Sequence, residues 1–402
     1  MKKLLLIVSL FILSTSITIA QNFEIQHIIN DVKATYAPDK RICIYDIKVV
    51  EKGHTSILKG EISDFEIYKT LISDIKAVSP ATIDSIRILP DKSYRKNYWG
   101  FVPLSAIFIR VAPSFSAEIT TQALMGTPVK ILERKGGWLH IQTPDGYIGW
   151  TSTDNIQRIN EAERNAYNSL QKVIVSNHSA FVYQKPDIES DIITEVLMGN
   201  LLIINNNHSS GKSSFFHVSL PNGEKGYILA DNVLPYNQWK NTIKMTGDDM
   251  IKLGKTFIGL PYFWGGTSSR GLDCSGFTKM VYFMHGIILP RDASQQYYCG
   301  KEIDTTKGFD NLQKGDLLFF GRKNEQDSTK PVIIHVAMYM GDKKFIHSSG
   351  QVTISSFDPL SPDYDEYNKS RFIGAKRIIG SSMKGFWSIF EHPWYNSSNQ
   401  GK

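Results

Sequence analysis

An internal repeat in the middle of this 402-residue chain restricts its possible folds more than any other sequence feature. Four segments of one copy have counterparts, in the same order, in a second copy. Residues 117–126, 138–141, 146–150 and 154–156 resemble residues 190–199, 215–218, 226–228 and 231–233. Each copy consists of short alternating runs separated by Gly, Pro and Asn turns, as in a small β-barrel. The repeat therefore predicts two small barrels, over residues 96–160 and 173–237.

Mixed units flank the two barrels, so the sequence predicts an α+β protein. Residues 21–95 contain three strand-like runs and one amphipathic helix, whereas residues 245–380 begin with a helix at 248–258 and continue with strands. The strands are predicted at 42–50, 56–62 and 83–89 in the first unit, and at 316–320, 333–340, 344–348 and 371–377 in the last. Residues 160–172 are predicted to form a polar helical linker, and no function is predicted for the aromatic tail at 381–402.

The composition excludes some classes of protein. Apolar residues make up 42% of the chain and charged residues 21%, as in soluble globular proteins. The formal net charge of +6 is mild, and basic residues are neither clustered nor interleaved with aromatic ones. Nucleic-acid binding is therefore not expected. The protein is separately expected to be a monomer.

The first twenty residues have the pattern of an export signal. Lys2 and Lys3 precede the apolar run 4–13, and a polar stretch then ends at Ala20. This is the order of a signal peptide, so the mature chain is expected to start near Gln21. An apolar run of about ten residues is too short to span a bilayer, and stable membrane insertion is not expected. The sequence thus predicts an exported protein, either periplasmic or secreted.

Cys274 is predicted to open a helix. Apolar residues between Phe277 and Met284 recur at helical spacing, and Gly286 stands where the helix should end. A thiol at a helix N-terminus faces the positive end of the dipole, which favours the reactive thiolate. The other interpretation is an inert core residue, since free cysteines are usually buried. The segment alone does not decide between the two.

The cysteine count favours a chemical role for Cys274. The chain has three cysteines, and an odd number in an exported protein leaves at least one thiol free and excludes a disulfide framework. Cys43 lies in a strand-like run and Cys299 lacks a helix-start context, so both are predicted to be core residues. A disulfide between them remains open.

A nucleophilic thiol needs a base, and the base needs an orienting group. Residues 334–347 are predicted to form a hairpin with Gly341–Asp342 at its turn. If the pairing centres on position 341, His335 and His347 lie opposite each other, about 5 Å apart at Cβ. One imidazole then takes the thiol proton while the other holds it in the required tautomer. Cys274, His335 and His347 are therefore the predicted catalytic residues.

Two competing interpretations of these residues are weaker. Paired histidines also bind zinc, but zinc needs three or four ligands, and no HExxH or CxxC motif supplies the others. Ser275 as nucleophile lacks the surrounding GxSxG elbow. Neither a metal nor a cofactor is expected.

Five motifs in order resemble the NlpC/P60 cell-wall peptidases. They are PYFWGG at 261–266, DCSGF at 273–277, LPRDASQQ at 289–296, GDLLFF at 315–320 and HVAMYMG at 335–341, and His347 follows them. The resemblance implies a papain-like catalytic fold with a Cys-His-His triad. It also implies cleavage of peptidoglycan stem peptides between γ-D-glutamate and a diamino acid, which is meso-diaminopimelate or L-lysine.

The repeat resembles bacterial SH3-like domains through Arg110-x-x-Pro113 and the closing Gly-Tyr-x-Gly-Trp. Two such domains before an NlpC/P60 unit resemble the γ-D-glutamyl-L-diamino acid endopeptidases. In these the first SH3-like domain restricts the cleft to peptides with a free N-terminal L-alanine. The residues that this resemblance places at the substrate are Asp273 and Ser275 at the L-alanine, Tyr262 on the oxyanion side, Asp292 and Ser294, and Glu118 and Tyr147 as the ammonium-binding wall. Where that subgroup often has serine after Pro-Arg-Asp, this chain has Ala293 before Ser294.

Two alternative functions stay open on the sequence. The first is an endopeptidase of intact, polymerised cell wall, with the SH3-like repeats as wall anchors. The second is a non-catalytic wall-binding module, against which the complete Cys-His-His set argues. Lipid acyltransferase activity, known for relatives with a rearranged motif order, is set aside because the cysteine here precedes the histidines.

Overall fold

The structure of the protein, a computed structural model, describes residues 21–53, 55–94, 97–210, 213–325, 327 and 330–396. The predicted export signal at 1–20 lies outside the described residues. Within them, no helix combines the length and the apolar character needed to cross a membrane.

Helices and strands follow one another along the whole described chain. The helices are α1 (21–36), α2 (Phe65–Val78), α3 (Glu161–Ser169), α4 (Tyr236–Thr242), α5 (Gly247–Lys255), α6 (Cys274–Met284), α7 (Ala293–Gln296) and α8 (Glu366–Ser370). The strands up to the end of the first barrel are β1 (Tyr45–Lys52), β2 (Thr55–Ile62), β3 (Ile83–Ile88), β4 (Trp99–Phe101), β5 (Ala106–Arg110), β6 (Ile119–Leu124), β7 (Pro128–Lys135), β8 (Trp138–Gln142), β9 (Ile148–Ser152) and β10 (Gln157–Ile159). The second barrel has β11 (Lys172–Val175), β12 (Ser179–Tyr183), β13 (Ile192–Leu197), β14 (Leu201–Ser210), β15 (Ser213–Ser219), β16 (Lys225–Leu229) and β17 (Val233–Pro235). The remaining strands are β18 (Thr267–Ser268), β19 (Gly271–Leu272), β20 (Ile287–Ile288), β21 (Lys301–Ile303), β22 (Leu317–Arg322), β23 (Val332–Gly341), β24 (Lys344–Ser349), β25 (Gln351–Ser356), β26 (Phe372–Arg377) and β27 (Trp387–Ser388).

The N-terminal unit is a three-stranded sheet, in the order β1-β2-β3, packed with α1 and α2. The carboxylate of Asp64 starts α2 by accepting hydrogen bonds from two backbone N–H groups of its first turn. The strands and α2 agree with the sequence prediction. Helix α1 was missed, although Ile25, Ile29 and Val32 recur at helical spacing and are all buried.

The two barrels confirm the internal repeat. Each is a seven-stranded sheet, in the order β10-β4-β7-β8-β9-β5-β6 for the first and β13-β12-β16-β15-β14-β11-β17 for the second. When the second order is read from its other end and seven is subtracted from each strand number, it is identical to the first, so the two barrels have the same topology. Helix α3 connects the barrels, and a capping box between Asn160 and Glu163 starts it, so the linker is helical as predicted.

The last unit contains a six-stranded antiparallel sheet in the order β21-β26-β22-β23-β24-β25. Helix α6 begins at Cys274, as predicted, and packs against β23 and β24. Phe277, Met280 and Val281 bury its apolar face in the core that they share with this sheet. The helix therefore fixes the position of Cys274 relative to the sheet.

The aromatic tail is an integral part of the fold. Strand β27 pairs with β20, and Phe386 and Ile389 are buried in the core around α6. The ring of His392 contacts the carbonyl oxygen of Pro144 at 3.0 Å, and the indole of Trp394 packs on Trp99 at 5.1 Å. The tail thus joins the last unit to the first barrel.

All three cysteines are free thiols. The disulfide between Cys43 and Cys299 that the sequence left open is not formed. Cys43 contacts the hydroxyl of Ser63, and the sulfur of Cys299 lies 3.0 Å from the carbonyl oxygen of Gly385. Both are buried, as predicted for core residues.

Candidate active site

Cys274 is the first residue of α6, and Asp273 is its N-cap. Asp273 has extended backbone angles, and its Oδ1 accepts the N–H of Gly276 at 2.8 Å. At this helix position the backbone N–H of Cys274 has no partner within the helix. The sulfur itself is hydrogen-bonded by the backbone N–H groups of Ser275 and Val336. The thiol therefore lies where α6 meets β23.

The protonation state of Cys274 differs from the sequence expectation. Burial raises the pKa of the thiol to about 11, and the nearby charge of Asp273 raises it further. The backbone N–H groups and Arg291 act in the opposite direction but do not outweigh these effects. Desolvation thus exceeds the stabilisation expected at a helix start, and the resting nucleophile is a neutral thiol at pH 7.

His335 and His347 contact each other directly. Nε2 of His335 lies 2.8 Å from Nδ1 of His347, and Nε2 of His347 lies 3.1 Å from Oγ of Ser355. Burial lowers the pKa of His347 to about 4 and that of His335 well below 6.5, where His347 lowers it further. Both imidazoles are therefore neutral at pH 7.

The direction of these two hydrogen bonds decides whether His335 can act as a base. If His335 donates to His347 and His347 donates to Ser355, then Nδ1 of His335 keeps a free lone pair. In the opposite direction Nδ1 would already carry a proton. Because Val336, the next residue on β23, contacts the sulfur, we assign Nδ1 of His335 as the acceptor of the thiol proton. This catalytic role stays a prediction.

The register of the hairpin that carries the histidines differs from the predicted one. Met338 pairs with Ile346, and this register would place Ala337, not His335, opposite His347. Positive φ angles at Asp342 and Lys343 form the two-residue turn, one position later than predicted. A bulge between Tyr339 and Gly341 completes the shift. The shift is two residues, so both histidines stay on one face as diagonal neighbours.

A buried ion pair supports the start of α6. Arg291, only 1% exposed, donates from Nη1 to Oδ1 of Asp273 at 3.1 Å and from Nη2 to the second carboxylate oxygen. The same Nη1 donates to the hydroxyl of Ser275 at 2.9 Å, and the N–H of Gly265 donates to Asp273 at 3.0 Å. Burial opposes the charge of Arg291, but the ion pair with Asp273 outweighs it and raises the pKa of the guanidinium. Asp273 and Ser275 are thus fixed before any substrate arrives.

One cavity, with a volume of about 530 Å³, contains Cys274 together with every predicted substrate-binding residue. These residues are Glu118, Tyr147, Tyr262, Asp273, Ser275, Asp292 and Ser294. Further lining residues that the sequence reasoning missed are Arg41, Thr120, Trp264, Arg291, Ile333 and Ile334. Their contact with substrate remains a prediction, but the structure brings all of them together.

The first barrel forms one wall of this cavity. Nε1 of Trp264 donates to Oε1 of Glu118 at 2.8 Å. Gly265 has a φ of 77°, and a Cβ at this position would lie 2.6 Å from the carbonyl oxygen of Ile119, so the close approach requires glycine. A buried ion pair of 2.8 Å between Lys279 on α6 and Asp145 holds the same barrel in place.

A second group of lining residues centres on Asp292, the N-cap of α7. Its Oδ2 accepts from Nη1 of Arg41 at 2.7 Å, and the hydroxyl of Tyr147 also hydrogen-bonds to it. Ser294 supplies a hydroxyl 3.0 Å from the same Nη1, whereas the neighbouring Ala293 has no polar side chain. Ser294 is therefore the polar residue that follows Asp292 in the cavity.

The charges along the cavity leave one carboxylate uncompensated. Among the described residues, three carboxylates and two guanidinium groups line it, which together carry a net charge of −1. Asp273 is paired with Arg291 and Asp292 with Arg41. Among the described residues no cation forms a salt bridge with Glu118, whose partner is the neutral indole of Trp264. The cavity is therefore complementary to one cationic group.

A thiol and two neutral imidazoles beside a polar cavity are the groups that a thiol hydrolase needs, and this is the class of protein that the site indicates. Within the described residues, no group of three or more His, Cys, Asp or Glu could hold a metal ion. The arrangement can perform acyl transfer, in which the thiol attacks a carbonyl and an imidazole manages the proton.

Comparison with known proteins identifies the family. The model of the NlpC/P60 family matches residues 259–377, and that of the bacterial dipeptidyl-peptidase SH3 domain matches residues 109–156. The γ-D-glutamyl-L-lysine dipeptidyl-peptidase of Bacillus cereus (strain ATCC 10987) is 31% identical over 317 residues, which are 75% of this chain and 90% of the relative. The protein of the same name from Bacillus subtilis (strain 168) is 32% identical over 57% of this chain and 72% of its own. The chain belongs to the NlpC/P60 family of cysteine peptidases.

A solved structure agrees with this assignment. The crystal structure of an NlpC/P60 family protein from Bacillus cereus ATCC 10987 is 29% identical and has a TM-score of 0.57. The match covers 70% of this chain and 99% of that one. The α+β fold with an SH3-like domain before an NlpC/P60 unit is therefore as predicted.

Proposed function

We propose that this peptidase hydrolyses the bond between γ-D-glutamate and an L-diamino acid in peptidoglycan stem peptides whose N-terminal L-alanine is free. The observation that carries the proposal is the uncompensated carboxylate of Glu118 in the same cavity as the thiol of Cys274. A free α-ammonium group is the natural complement of such a carboxylate. Relatives named for γ-D-glutamyl-L-lysine cleavage support the choice of bond. L-Lysine and meso-diaminopimelate both suit the proposal.

The proposed reaction is acyl transfer to water. Sγ of Cys274 attacks the γ-carbonyl carbon of D-glutamate while its proton passes to Nδ1 of His335. The backbone N–H of Cys274 stabilises the developing oxyanion. His335 then gives the proton to the leaving amine, and the C–N bond breaks to leave a thioester. A water molecule, deprotonated by His335, hydrolyses the thioester and regenerates the thiol.

Intact, polymerised cell wall is a poorer fit to the same cavity. In polymerised wall the L-alanine nitrogen is an uncharged amide, so the Glu118 carboxylate would be covered without a cation. Covering a charge without a partner costs free energy. The first barrel, moreover, contributes Glu118 and Tyr147 to the cavity, which argues for a role in selecting peptides rather than in anchoring the protein to wall.

We further propose that the protein acts as an exported monomer, periplasmic or secreted. The support is the signal-peptide pattern of residues 1–20, which lie outside the described structure. Cell fractionation with an antibody against the chain tests this: export predicts recovery outside the cytoplasm, in a form shortened at its N-terminus.

Cys274→Ala tests the nucleophile and the bond together. The wild-type protein should convert L-Ala-γ-D-Glu-meso-diaminopimelate into L-Ala-D-Glu and free diaminopimelate, measured by mass spectrometry. The variant should release neither product while unfolding at the wild-type temperature, since the substitution removes only the sulfur. Cys299→Ala, which alters a buried thiol outside the cavity, is the matched control and should stay active. Activity in Cys274→Ala would exclude this nucleophile, and release of free alanine would exclude the proposed bond.

A further inference from the structure

Among the described residues of the N-terminal unit, one side chain reaches the cavity. Arg41 precedes the first strand of that unit, yet it lines the cavity that contains Cys274. Its Nη1 donates to Oδ2 of Asp292 at 2.7 Å and to Oγ of Ser294 at 3.0 Å. Three parts of the chain therefore meet at Asp292: the N-terminal unit through Arg41, the first barrel through Tyr147, and the catalytic unit itself.

Arg41 is held in place by contacts that do not involve the cavity. Asp39 accepts from Nε and Nη2 of Arg41, at 2.8 Å each, in a bidentate pair. Asp39 also accepts from the side-chain amide of Gln295 at 2.8 Å, and the backbone oxygen of Arg41 accepts the N–H of Ile148 at 2.7 Å. The guanidinium is thus positioned in advance on both the catalytic unit and the first barrel.

The position of Arg41 sets the charge of the cavity. Asp292 is half-buried, and burial raises the pKa of its carboxyl group, while the charge of Arg291 and the charge and hydrogen bond of Arg41 act in the opposite direction. Among the described residues, Arg41 is the salt-bridge partner of Asp292, so without it two carboxylates of the cavity, Glu118 and Asp292, would have no such partner instead of one. A cavity with two such groups would accept a second cation beside the α-ammonium group.

We propose that Arg41 is a specificity-determining residue that restricts the amino end of the substrate to a single positive charge. The proposal rests on the proposed function, since it assumes that a free α-ammonium group binds in this cavity. A first residue with an uncharged side chain, such as L-alanine, leaves the pair of Arg41 and Asp292 undisturbed. A basic side chain at the first residue would instead meet the guanidinium, and like charges placed together disfavour the wrong ligand.

The test compares two tripeptides that differ in the charge of the first side chain. One is L-Ala-γ-D-Glu-L-Lys, and the other has L-2,4-diaminobutyrate in place of L-alanine. The wild-type protein should prefer the first, and Arg41→Met should narrow the ratio of the two kcat/KM values by at least about tenfold, mainly through KM. Arg41→Lys keeps the charge but not the bidentate pair with Asp39, so it should narrow the ratio less than Arg41→Met does.

Two further variants separate charge from structure. Arg41→Gln keeps hydrogen-bond donors without the charge and should narrow the ratio of the two kcat/KM values by as much as expected for Arg41→Met. It therefore tests the inference even if Arg41→Met does not fold. Arg87→Met is the matched control, since Arg87 joins the same N-terminal unit to Glu133 of the first barrel outside the cavity. It should leave the ratio unchanged.

The outcomes distinguish this inference from the proposed function. An equal loss of activity with both tripeptides in Arg41→Gln would show that Arg41 only holds the units together, and would overturn the inference. An unchanged ratio in the uncharged variants would overturn it as well. If the wild-type protein cleaves neither free-amine tripeptide, the proposed function itself fails.

Discussion

Replacing Glu118 by glutamine would remove one negative charge from the cavity and change little else. The two side chains have the same length, and the Oε1 of glutamine can still accept from Nε1 of Trp264, now 2.8 Å from Glu118. The charge of the cavity lining would change from −1 to 0, because two carboxylates would then face two guanidinium groups. Glu118→Gln therefore isolates the electrostatic part of amine binding.

The size of the expected effect follows from the loss of one charge-assisted hydrogen bond. Such bonds contribute about 1.5–3 kcal/mol net. Because about 1.4 kcal/mol corresponds to a tenfold change, kcat/KM should fall roughly 10- to 100-fold for a peptide with a free L-alanine. The loss should appear mainly in KM, since the amine carries the same charge in the bound substrate and in the transition state.

Release of L-lysine from L-Ala-γ-D-Glu-L-Lys, followed by chromatography, measures this effect. The N-acetylated tripeptide serves as the second substrate. Its kcat/KM should not fall in Glu118→Gln, because its acetylated nitrogen carries no positive charge. Glu133→Gln is the matched control: Glu133 belongs to the same barrel but pairs with Arg87 and His140, outside the cavity. A change below about twofold, or an equal loss with both substrates, would refute the assignment of Glu118 to the ammonium group.

Two further predictions concern the histidines. Ser355→Ala removes the acceptor that orients His347, and kcat should fall roughly 10- to 100-fold with KM unchanged. Ser355→Thr keeps the hydroxyl and should retain activity. A change in KM with kcat unchanged would contradict the positioning role. In the pH profile of kcat/KM between pH 4 and 9, the acidic limb should lie below pH 6.5. Burial holds the pKa of His335 well below that value, and protonation of His335 removes the base. Activity is therefore present above the limb and lost as the pH falls through it. A limb centred at or above pH 6.5 would contradict the assignment.

Local patterns in the sequence predicted much of the fold and site. Periodicity placed Cys274 at the start of α6, and alternation placed His335 and His347 on one face of a hairpin. The repeat predicted two barrels with one topology. Ser355 also had a signal, since His347 pairs with Thr353 and Ser355 follows on the same face of β25.

Other features depend on the assembled structure and have no local signal. Arg41 contacts Asp292 across 251 residues of sequence, so no pattern near either residue indicates the pair. The pKa of Cys274 depends on how deeply α6 is buried, and a position at a helix start does not indicate that burial. The register of β23 and β24 depended on which residues form the turn: Gly341 pairs with Lys344, so the two turn residues are Asp342 and Lys343 rather than Gly341 and Asp342.

The central claim is that a free α-ammonium group is recognised in the cavity of Cys274. The most direct measurement is the ratio of kcat/KM for L-Ala-γ-D-Glu-meso-diaminopimelate and for its N-acetylated form, with the wild-type protein and product release followed by mass spectrometry. The uncompensated Glu118 predicts a preference for the free amine of at least about tenfold. Equal cleavage of both peptides would contradict the claim.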